Sequence, residues 1–193
     1  MKTKTLTFGL LLFFLTNCLA QKDKLELGWY IAPSFSFYEK SDIGSNNKFS
    51  TGIFYNVYST KVFGFGAGVD YHQLNLNVAG RVGQQNKFNF LKFPVWTSIN
   101  TNYYSSAKTR TYFLLGMAYG NLLNAESARV AYNLKGLKQN HFFVNIGLQL
   151  KRPLNEAYQF TLGTHLELTN IYDVRYGNIY SFQVVFGVGR IWK

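Results

Sequence analysis

Two pairs of side chains in this sequence carry the groups that acid–base chemistry uses. Asp70 and His72 stand two residues apart in "GVDYHQ", and His165 and Glu167 do the same in "GTHLEL". A histidine near a carboxylate can move a proton or activate a hydroxyl nucleophile. A spacing of two puts both members on one face of a strand, whereas a helix would separate them. Lys92, in "FLKFPV", adds a cation.

Other chemistries have less material. Cys18 is the single cysteine, and it lies in the N-terminal leader. A chain cut behind Ala20 has no disulfide, no thiol nucleophile and no thiolate metal site. The 3 histidines show no metal-ligand spacing with carboxylates. No Walker-type phosphate loop occurs, and no helix follows the glycines of "GFGAG" to make a nucleotide site. The bland alternative for Asp70, His72, Lys92, His165 and Glu167 is that they are hydrogen-bonded fillers inside a barrel. No His-x-Ser pair of the kind used by membrane-embedded lipid A deacylases is present on a strand. The expectation is therefore no enzyme, no catalytic residue, no cofactor and no metal.

The compartment comes from the N-terminus. "MKTKTLTFGLLLFFLTNCLA" has a basic start, a short apolar run and small residues before Gln21. That is the form of a secretory signal, expected over residues 1–20 and cut after Ala20. The run is too short to span a bilayer as a helix. Lipidation at Cys18 is the alternative, but Asn17 stands where such sites prefer a small residue. Without Lys2 and Lys4 the mature chain still carries a net charge of +9, against +11 for the whole. In an exported protein, a basic excess suits anionic surfaces such as lipid phosphates. No Lys/Arg-rich run or basic helix points to nucleic acid.

Residues 21–193 read as one domain whose period is two almost throughout. The stretch "KVFGFGAGVDYH" shows it best. One phase holds Phe63, Phe65, Ala67, Val69 and Tyr71; the other holds Gly64, Gly66, Gly68, Asp70 and His72. Similar strands are expected at 25–38, 48–59, 88–100, 110–122, 141–151, 158–170 and 180–192. Their length is that of membrane strands and about twice the usual soluble strand. Longer polar connections alternate with shorter ones, as in an outer-membrane barrel. Phe88 and Phe90 fall out of phase with Leu91, Phe93 and Val95, which predicts a bulge or register change near Phe90.

The expected fold is an all-β, eight-stranded, antiparallel up-and-down transmembrane barrel. A lipocalin-like barrel would put its grease inside. Here the apolar set is the larger one, and the small polar set suits the narrow interior that eight strands leave. The glycines are therefore expected inside and the aromatics on lipid. Trp29, Tyr158 and Trp192 would belong to the periplasmic girdle, and Phe37, Phe49, Tyr71, Tyr119 and Tyr180 to the outer one. Inside, Asp70 and Lys92 are expected to pair or to join a network with Glu167. Tyr30, Phe54 and Tyr112 would fill space below them.

"NFLKFPVWTSIN", with its Phe93–Pro94 pair, resembles a strand of the Bacteroidetes outer-membrane β-barrel family, the PorT-like or porin-like barrels. "YFLLGMAYGNLL" and "HLELTNIYD" are similar to later strands of that family. Glu167 departs from the pattern, standing where a glycine precedes the leucine. So does the Trp192–Lys193 end. The resemblance implies the fold and a place in the cell outer membrane; the signal, the eight long alternating segments and the aromatic ends predict that the N-terminus is periplasmic. The family is functionally mixed, and one branch serves type IX secretion.

The leading expectation for function is a structural or interaction barrel with a plugged lumen. It would work through its extracellular loops and contact outer-membrane lipid, lipopolysaccharide and envelope proteins. An accessory part of a secretion or assembly machine is the alternative. A hydrolase acting on lipid A stands third.

Overall fold

The computed structural model describes residues 24–38, 48–77, 85–126, 139–169 and 178–192. The signal segment 1–20 and Cys18 lie outside them. Eight strands follow in order: β1 (Lys24–Tyr38), β2 (Lys48–Tyr58), β3 (Phe63–Asn77), β4 (Gln85–Asn100), β5 (Arg110–Glu126), β6 (Asn140–Pro153), β7 (Tyr158–Thr169) and β8 (Ile179–Trp192). Each pairs antiparallel with the next, and β1 pairs with β8 to close the barrel. Closure leaves no free edge around the wall, so every strand finds its ladder partners inside the sheet. Among the described residues no helix is long and apolar enough to cross a membrane.

The alternation in sequence becomes inside and outside. Phe142 is 71% exposed while its neighbour Phe143 is 0% exposed. Trp29, Ile53, Leu115 and Met117 also stand out from the wall, each more than half exposed. The phase opposite to them is buried and mostly polar. Gly66 shows why "GFGAG" is bare on that side: a Cβ there would run into the Trp96 indole and the Asn56 amide. Trp96 can lie across the narrow interior because Gly66 yields the space.

The expected bounds of β3 and β4 need correction, while the expected register change near Phe90 is present. Both strands reach further than the sequence pattern suggested, pairing as far as Asn77 with Gln85. Phe88 and Phe90 are both fully buried inside. The register change does occur between Asn89 and Phe90, but the additional residue is Leu123 on β5. Phe88 and Phe90 then pack with Leu74, Ala118, Phe143 and Ile179. Gly120 makes room for this apolar layer, because a Cβ there would meet the Phe143 ring.

Candidate functional site

The inward side chains build two polar layers at different heights. Nearer the end that carries the long connections, Lys92 on β4 reaches across the lumen to Glu167 on β7, with Nζ 2.5 Å from Oε2. Its ammonium also lies 4.8 Å from the centre of the Phe143 ring. Asp70 is the register partner of Lys92. Yet the direct ion pair of Lys92 is with Glu167, while Asp70 lies beside the Tyr30 phenol. The expected network therefore exists, but Glu167 occupies the central place given to Asp70. A side chain crossing a narrow barrel can satisfy a partner that strand adjacency does not indicate.

His72 and His165 each turn away from the carboxylate two residues along their own strand. The Nδ1 atom of His72 is 2.5 Å from Ser50 Oγ on the neighbouring strand. Its Nε2 is 3.7 Å from Glu167 Oε1, beyond hydrogen-bond reach. His165 pairs with Gln149 at 3.1 Å. Ser50, His72 and Glu167 thus hold the groups of a nucleophile–base–acid series. Ser50 is 0% exposed, however, and neither Ser50 nor His72 lines the cavity below them.

A second layer near the opposite end was not singled out from sequence. Lys151 Nζ is 2.7 Å from Glu26 Oε2 and 2.8 Å from the Tyr58 hydroxyl. Tyr58 donates to the same carboxylate at 2.7 Å, and the Asn56 amide donates at 2.9 Å. Asn56 in turn accepts from the Trp96 indole N–H at 3.0 Å. The rings of Phe54, Tyr58 and Tyr112 surround the ammonium. Phase alone placed Glu26 and Lys151 inside. That the two meet across 125 residues of chain is a consequence of closure.

Between the layers lies a cavity of about 50 Å³, lined by Asp70, Lys92, Trp96, Thr161, His165 and Gln183, among others. Its size suits about three or four water molecules. Asp70 Oδ1, Thr161 Oγ1, Glu167 Oε1 and Gln183 Nε2 are buried around it without a protein partner. Among the described residues no group of three His, Cys, Asp or Glu is placed to hold a metal.

No family model and no curated protein matches the chain. Solved structures do. The outer-membrane protein OprG of Pseudomonas aeruginosa is similar with a TM-score of 0.60 and 10% identity, over 89% of this chain and 97% of that one. Neisserial surface protein A gives 0.57 and 11%, over 86% and 96%. Ail, the attachment invasion locus protein of Yersinia pestis, gives 0.51 and 12%, over 89% and 99%. The chain has the fold of the small outer-membrane barrels. At these identities the likeness reaches the fold and stops there.

Proposed function

We propose that the chain is a small outer-membrane barrel with a closed lumen, which acts by contact through the connections at its outer end. The observation that supports this most is the outer surface. Large apolar side chains stand exposed on all eight strands, from Trp29 and Ile53 to Leu162 and Phe186. A soluble monomer rarely shows a continuous apolar belt of this extent. The end that holds the four-residue turns 59–62 and 154–157, together with 101–109, would face the periplasm, and the end that holds the longest connection, 127–139, the outside, so the N-terminus would be periplasmic. The net positive charge suits the phosphates of lipopolysaccharide, and envelope proteins are the other class of partner. One barrel of this fold, Ail, has been solved with the heparin analogue sucrose octasulfate, a polyanion of comparable chemistry.

In this reading the Ser50–His72–Glu167 series is a structural filler and the protein is not an enzyme. Unchanged acyl chains after incubation with lipopolysaccharide would support that, and altered ones would overturn it. The resemblance around Phe93–Pro94 keeps an accessory role in a PorT-like secretion machine as the second reading. A stoichiometric complex recovered from solubilised membranes would favour it.

Orientation is tested by surface labelling. Cysteine at Asn133, which lies outside the described residues, should react with an impermeant reagent in intact cells. Cysteine at the exposed Glu156 of the β6–β7 turn should not. Glu156 is preferred to Asn155, whose side chain holds the turn by accepting from the Ala157 and Tyr158 amides. The reverse labelling would invert the topology.

A further inference from the structure

The lipid-facing phase of the described strands is almost free of charge, and its exceptions fall at the two ends. At the outer end, Lys87 and Glu126 neutralise each other at 3.3 Å. At the turn end stand Arg152 on β6 and Arg190 on β8. Both are exposed, and both continue the outward phase of their strands, after Leu150 and Val188 respectively. Neither is in an ion pair with a described carboxylate. An arginine directed at lipid without a counter-charge calls for an explanation, because the hydrocarbon can offer it none.

Register brings the two together. Arg152 is level with Phe160 on β7, and Arg190 is level with Tyr158 on the same strand. One strand separates them and the levels differ by two residues, so their backbones are about 10 Å apart across the sheet and about 7 Å along it, or about 12 Å in all. Long flexible side chains close that gap from both sides. The ground between them is aromatic: Tyr158 is exposed there, and the Arg190 guanidinium lies 5.2 Å from the centre of the Trp192 ring. Amphipathic aromatics of this kind mark the headgroup level of a bilayer. Nearby exposed charge is mostly positive. Lys61 and Lys108 are exposed in the adjoining turns, and Glu156 is the exposed carboxylate among the described residues of this end.

We propose that Arg152 and Arg190 form a clamp for the phosphate of an anionic glycerophospholipid, seated against Tyr158 and Trp192 at the turn end of the barrel. Guanidinium forks match phosphate oxygens in geometry and charge. The inference rests on the membrane orientation proposed above, and it adds a site and a ligand class. It also explains why the charge sits on the lipid face itself, where a general attraction to the membrane surface would need it only in the turns.

The test uses the full chain refolded into phosphatidylcholine vesicles with and without phosphatidylglycerol, then extracted for native mass spectrometry. Wild type should retain phosphatidylglycerol in preference to phosphatidylcholine. The double variant Arg152→Gln/Arg190→Gln should lose that preference by roughly thirtyfold, from the usual contribution of two basic side chains at an anionic surface. Lys61→Gln/Lys108→Gln should keep most of it. Equal loss in the two double variants would overturn the clamp, as would equal retention of both lipids by wild type. So would a preference for added lipopolysaccharide, which would put this end in the other leaflet. A chain that enters neither vesicle would instead overturn the membrane reading beneath the proposal.

Discussion

Replacing Lys151 by methionine should destabilise the folded barrel by about 3–5 kcal/mol, the usual cost of removing one member of a buried ion pair. The reason is the carboxylate left behind. Glu26 is fully buried, and its Oε2 atom takes three of its hydrogen bonds from Lys151, Tyr58 and Asn56. Its Oε1 atom has no protein partner. Without the ammonium, a negative charge stays in a low-dielectric interior with only neutral donors. Adding Glu26→Gln to Lys151→Met should recover much of the loss, because no charge is then orphaned. Urea unfolding from phospholipid vesicles measures both. If the two substitutions simply add, Glu26 and Lys151 are not coupled and this layer is not the lower closure of the lumen.

Ile146→Arg should cost about 2–4 kcal/mol, and Leu150→Arg about 0–1 kcal/mol, in the same assay. Both side chains point outward from β6, and both are exposed. They differ in depth. Ile146 is at the middle of the strand, in register with Leu115 and Leu166. Leu150 is one outward position from the natural Arg152 and can direct a guanidinium to the headgroups. A charge in the hydrocarbon has no water to recover, whereas one at the interface has. Equal costs at the two sites would mean that the belt does not face lipid.

The strands were legible because period two survives along almost every segment, and because a barrel wall has two faces of opposite chemistry. "KVFGFGAGVDYH" alone separates them, and the structure keeps all of its phase. What the sequence could not show was contact across the lumen. Phase put Asp70, Lys92 and Glu167 inside, and register made Asp70 the natural partner of Lys92. The ammonium nevertheless chose Glu167, since in a narrow barrel the opposite wall is as near as the next strand. Glu26 and Lys151 were hidden for the same reason. Phe88 and Phe90 marked the register change, but a rule of apolar outside and polar inside has no place for the greasy layer they form within the barrel. The signal for that layer was in small residues of β5: Ala118, which packs in it, and Gly120, which yields space to the Phe143 ring.

In the proposed reading that apolar layer and the Glu26–Lys151 layer close the lumen above and below the cavity, so that no continuous water path joins the two sides of the membrane. Planar-bilayer recording of the refolded protein measures this directly. The expected result is a baseline without stable, large conductance steps, because the buried rings of Phe88, Phe90 and Phe143 and the salt-bridged layer stand in the way of a continuous water path. Stable, large, ohmic steps from the inserted protein would contradict it and would make the barrel a channel.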